Sequence, residues 1–89
     1  MTETQLKNKV LKWIKLTYPD AFAYKTSDQW HSGIPDILIV KDGTLFAIEL
    51  KVGKNTATRL QLHVLRQIAA AGGVVGVCYN LDEVKGVFE

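Results

Sequence analysis

Eighty-nine residues, 47 % hydrophobic and 22 % charged, fit one folded domain and exclude a disordered chain. A single cysteine, Cys78, excludes an internal disulfide framework, and no run approaches the roughly 18 apolar residues of a bilayer span. The formal charge of +2 does not by itself identify a polyanionic partner. A domain this small buries a modest share of its surface, so dimerisation is the expected supplement to its stability.

The chain opens on Thr2-Glu3-Thr4-Gln5, which matches a capping box. Leu6, Val10, Trp13, Ile14 and Thr17 then recur at three- and four-residue spacing. They predict an amphipathic helix stopped by Tyr18-Pro19-Asp20, with Trp13 in the core. This charged opening does not read as a signal peptide, so a cytoplasmic protein is expected. Residues 21–26 are short, aromatic-bearing and strand-like, and 27–35 form a polar loop containing Trp30, His31 and Gly33.

Residues 36–41 and 44–51 are aliphatic, β-branched runs separated by Asp42-Gly43, which predicts a hairpin with a two-residue type I′ turn. Leu38, Val40, Leu45 and Ala47 fall on one side of it; Ile37, Ile39, Phe46, Ile48 and Leu50 fall on the other. Both faces being apolar, helices are expected to cover both. Residues 53–58 form a loop, and Thr58 opens a second helix with Leu60, Val64, Leu65 and Ile68 on its apolar face and Gly72-Gly73 at its end. Residues 74–79 read as a fully buried fourth strand holding a reduced Cys78. A short helix over Leu81–Phe88 completes the order α-β-β-β-α-β-α. The expected fold class is α/β, a mixed four-stranded sheet flanked by helices, in a single domain over 1–89.

A two-residue loop at Asp42-Gly43 pairs Lys41 with Thr44. The same register sets Asp36 opposite Glu49 on one face. Carboxylates about 5 Å apart repel by roughly 3 kcal/mol at an effective dielectric near 20. One acid can protonate, a cation can pair with both, or a divalent metal can bind. Hard oxygen ligands favour Mg²⁺ or Mn²⁺. Lys51, two residues past Glu49, projects from the same face and is either a counter-ion or a group that orients water. The Leu50 backbone carbonyl lies between them and can complete a metal site. Glu3 either adds a third carboxylate or serves its own helix N-terminus. A metal so held acidifies water and offsets charge on a phosphate, with Lys51 stabilising the transition state. No acidic residue lies between Glu49 and Asp82, whereas Lys51, Lys54, Arg59 and Arg66 do, and the first helix adds Lys7, Lys9, Lys12 and Lys15. Such a surface suits a polyanion, and solvated helix faces are the plainer reading of the same lysines.

Gly33-Ile34-Pro35-Asp36 followed by Glu49-Leu50-Lys51 resembles the PD-(D/E)xK nuclease signature. With the Glu3-bearing helix, Gln61 on the next helix and a glycine before the last strand, the chain resembles the VRR-NUC branch over nearly its whole length. The resemblance implies a restriction-endonuclease-like core and Mg²⁺- or Mn²⁺-dependent hydrolysis of DNA phosphodiester bonds. It implies metal binding by Asp36, Glu49, the Leu50 carbonyl and Glu3, and catalytic roles for Asp36, Glu49, Lys51 and Gln61. Gln61 has a competing role, because Thr58-x-x-Gln61 is itself a capping box. The scale and topology are similar to archaeal Holliday-junction resolvases, which implies a homodimer acting on branched DNA. Lys25, Ser27, Lys54 and Arg59 are the expected DNA contacts. The competing classes are a non-catalytic nucleic-acid- or protein-binding module and an α/β domain whose Asp36–Lys51–Glu49 cluster is structural. His31 and His63 read as hydrogen-bonding or structural residues, and Trp30 as a core or interface residue rather than a base-stacking one.

Overall fold

The computed structural model describes residues 1–26 and 33–89, so the readings made for Ser27, Trp30 and His31 lie outside the described residues. Helix α1 spans Glu3–Thr17 and begins on the expected capping box. Thr2 Oγ1 accepts from Gln5 N–H at 3.1 Å, and Gln5 Oε1 accepts from Thr2 N–H at 2.8 Å. It ends at Tyr18 because the following Pro19 disfavours helical backbone at the residue before it. Leu6, Val10 and Ile14, four residues apart, form its buried stripe.

Four strands follow the expected order: β1 (Phe22–Lys25), β2 (Ile37–Lys41), β3 (Thr44–Leu50) and, after helix α2 (Arg59–Ala70), β4 (Val74–Cys78). The sheet runs β1-β2-β3-β4, antiparallel at the first two junctions and parallel between β3 and β4. Asp42 and Gly43 both take positive φ, 52° and 77°, as a type I′ turn requires. Lys41 pairs with Thr44, and the ladder holds that register to Ile37 opposite Ile48.

Strand alternation divides the apolar residues between two layers. Ile37, Ile39, Ile48 and Leu50 are fully buried with Leu6, Val10 and Ile14 of α1, Cys78, and Val84 of helix α3 (Leu81–Phe88). Phe88 stacks on Phe46 at 4.5 Å and closes the rim of this core. Trp13 stands there too, edge-on to Tyr18 and Phe88 at 5.6 and 5.7 Å, rather than deep in the centre as its spacing suggested.

The second face carries Leu45, Ala47 and Glu49 and lies under α2, whose Val64 and Ile68 share a groove with Leu45. Two expectations change here. Coverage of this face stops short of β1 and the outer part of β2, leaving Phe22 64 % and Val40 45 % exposed. The fourth strand is not fully buried: β4 is an edge strand, and only its last residue, Cys78, is buried. Among the described residues no helix is long and apolar enough to cross a membrane.

Candidate active site

The hairpin sets the position of the site, and the end of its ladder shapes it. Hydrogen-bonded pairs alternate in an antiparallel ladder, so beyond Ile37 and Ile48 the next acceptor for Leu50 N–H would be the Pro35 carbonyl. The chain leaves the ladder first. Pro35 O instead accepts the Thr26 hydroxyl at 2.7 Å, and Asp36 Oδ2 accepts Leu50 N–H at 2.8 Å. Asp36 is therefore a bend residue, not the first residue of β2, and its carboxylate stands in for a missing ladder carbonyl. Gly33 lets this segment press against α2: a Cβ there would lie 2.7 Å from Leu60 Cγ and 3.2 Å from Val64 Cγ2.

Glu49 and Lys51 project from the end of β3 onto the face the alternation predicts. Lys51 Nζ lies 3.4 Å from Glu49 Oε2. Glu49 is the one buried charged residue among those described, at 2 % exposure, and its Oε1 is fully buried with no hydrogen-bond partner among them. Burial, and then the neighbouring Asp36 charge, push its carboxyl up to about 7, with Lys51 opposing only in part. Asp36 has a cation of its own. Lys7 of α1 places Nζ 3.6 Å from Asp36 Oδ1, with both side chains largely buried. The site is thus two adjacent carboxylates flanked by two lysines, Lys7–Asp36 and Glu49–Lys51, where α1 meets the carboxyl end of β3.

Lys7 is the residue that sequence reasoning missed. A signal was present, since Lys7 precedes Val10 by three residues and Ile14 by seven and so lies on the buried stripe of α1. A lysine in that position needs a partner. Glu3 is not gathered into the cluster, for no group of three or more His, Cys, Asp or Glu side chains converges among the described residues.

Gln61 stands in the first turn of α2, where its Oε1 accepts from Thr58 N–H at 2.8 Å and completes the capping box. Lys25, Lys54 and Arg59 are exposed, on β1, on the loop after β3 and at the start of α2. His63 is exposed on α2. Cys78 is buried, and desolvation pushes its thiol up to about 11, which removes it as a nucleophile.

The residues fit a divalent cation. Glu49 Oε1 is a buried oxygen lacking a partner, the neighbouring donors are hard oxygens, and Mg²⁺ is commonly held by one or two carboxylates with water completing its shell. Of the three side chains at this end of the hairpin, the Lys51 ammonium is the one that can stabilise an oxyanion, while Asp36 and Glu49 are oxygen donors to a cation.

No protein-family model and no curated protein matches the chain. Solved structures do. One described as a VRR_NUC domain protein superposes with a TM-score of 0.77 at 22 % identity, over 99 % of this chain and 85 % of that one. Another, described as a VRR_NUC domain, gives 0.69 at 22 % identity over 92 % of both. Coverage of both partners means that the whole arrangement is matched rather than one βαβ fragment. The chain has the fold of the VRR_NUC domains.

Proposed function

We propose that this chain is a Mg²⁺- or Mn²⁺-dependent endonuclease that hydrolyses DNA phosphodiester bonds, with branched DNA such as a four-way junction as its preferred substrate. The observation that carries the reading is Glu49: a carboxylate almost fully buried, one oxygen unpartnered, beside a second carboxylate and a lysine. Burying a charge without full compensation is costly, and a binding site is the common reason for it. The shared fold with VRR_NUC domains supports the same reading.

Asp36 Oδ1, Glu49 Oε1 and the Leu50 carbonyl would hold the metal, with water completing its shell. The metal, when bound, supplies Lewis acidity and offsets charge at the phosphate. Asp36 Oδ2, fixed by Leu50 N–H, holds its carboxylate in one orientation. Lys51, held against Glu49, orients the attacking water and stabilises charge developing on the phosphate oxygens. Gln61 lies at the start of α2 as a further polar group for this site. Lys25, Ser27, Lys54 and Arg59 bind the DNA backbone, and a twofold homodimer presents two sites to a branched substrate.

A second reading has its own observation. Each acid already has a lysine, so the four charges balance as a structural cluster. Thermal melting with and without Mn²⁺ separates the two. A nuclease site is stabilised saturably, by about 2.7 kcal/mol at a hundredfold excess over Kd, whereas the structural cluster gives no shift. Among substrates, faster cutting of a four-way junction than of flap or plain duplex supports the junction preference, and equal rates remove it.

A further inference from the structure

Each carboxylate of the site has one oxygen already committed. Asp36 Oδ2 accepts Leu50 N–H at 2.8 Å, and Glu49 Oε2 faces Lys51 at 3.4 Å. The oxygens left for a metal are Asp36 Oδ1 and Glu49 Oε1. Only the second lacks a partner among the described residues, because Lys7 Nζ stands 3.6 Å from Asp36 Oδ1. That distance is longer than a hydrogen bond, so charge rather than directed bonding holds the ammonium there. A divalent ion and an ammonium cannot both sit against one carboxylate oxygen without strong repulsion.

From this geometry we infer that Lys7 is an exchangeable counter-ion for the metal position: it neutralises Asp36 in the metal-free protein, and on yielding Oδ1 it turns its ammonium to the substrate phosphate. The inference rests on the metal-dependent reading above. Charge balance gives it direction. With both acids ionised, two lysines against two carboxylates make the metal-free site neutral, and a divalent ion raises it to +2. Lys7 then loses its Asp36 partner, and an incoming phosphate competes with Glu3, one turn back on α1, for its ammonium. Its stem is mostly buried on the stripe of α1, and rotation about its terminal bonds carries the ammonium away from Oδ1.

The test compares wild type, Lys7→Gln and Lys7→Arg, with Lys7→Met in reserve should the glutamine variant not fold. Mn²⁺ affinity is measured by calorimetry at low salt, and duplex DNA binding by anisotropy in Ca²⁺ across a salt series. Lys7→Gln should bind Mn²⁺ about twofold to fivefold more tightly, the usual worth of a partly exposed ion pair, and Lys7→Arg should not. Lys7→Gln should also bind DNA more weakly, with a log–log salt slope reduced by about one. A purely structural Lys7 would weaken metal binding or leave it unchanged, and either result overturns the exchange. An unaltered salt slope overturns the phosphate contact. If neither wild type nor Lys7→Gln binds Mn²⁺, the metal-dependent reading falls as well; if wild type binds and Lys7→Gln binds no more tightly, only the exchange falls.

Discussion

Replacing Glu49 with glutamine should make the metal-free protein more stable at pH 8 and flatten its pH dependence. The folded protein holds the Glu49 proton up to about pH 7, against an ordinary value of 4.5. A group whose folded pKa is raised contributes stability that is fully present below the unfolded value and lost as pH rises through the folded one. The window is therefore pH 4.5 to about 7, with stability falling as pH rises. At 1.36 kcal/mol per pH unit, the loss is at most about 3 kcal/mol, the opposing Lys51 pair being already contained in the value of about 7. Urea unfolding in EDTA at pH 5 and pH 8 measures it, with Glu49→Gln subtracting every other titrating group. The difference between the variants should be small at pH 5 and favour glutamine at pH 8. Parallel curves across the window would refute the burial argument for Glu49.

Three further perturbations probe neighbouring parts of the structure. Cys78, buried and held near 11, should resist a thiol reagent at pH 8 in the native protein and label fully in urea; rapid native labelling would contradict its place in the core. Gly33→Ala forces a methyl against Leu60 and should cost about 1–3 kcal/mol in chemical denaturation. Thr58→Ala removes the α2 cap at a cost of about 1 kcal/mol while leaving Gln61 in place, so a Gln61→Ala rate lower than the Thr58→Ala rate assigns Gln61 to the chemistry. Equal rates assign it to the cap alone.

The parts of the fold written in local chemistry were legible. Asp42-Gly43 admits one common turn, and that turn fixes the register that brings Glu49 and Lys51 to the site end of the sheet. Both capping boxes follow from the same kind of evidence. What was not legible depends on tertiary placement. An apolar run such as residues 74–78 looks the same at an edge as in the centre of a sheet, and only the strand order separates the two. The break in the ladder at Asp36 is set by Pro35 O turning to the Thr26 hydroxyl, a contact nine residues back in the chain. Lys7 reaches Asp36 because α1 docks with its first turns at the same end of the sheet. Its place on the buried stripe hinted at a partner without saying which. Glu3 shows the converse: its position in the helix suggested a third ligand, and the structure does not gather it with the other two acids.

Cleavage of a labelled four-way junction, in Mg²⁺, Mn²⁺ or EDTA, by wild type, Asp36→Asn and Lys51→Ala is the most direct measurement. Metal-dependent cutting by wild type, abolished in both folded variants, is the predicted result. A folded, metal-supplied wild type that cuts neither junction, flap nor duplex would contradict the nuclease reading and leave the four charges as a structural cluster.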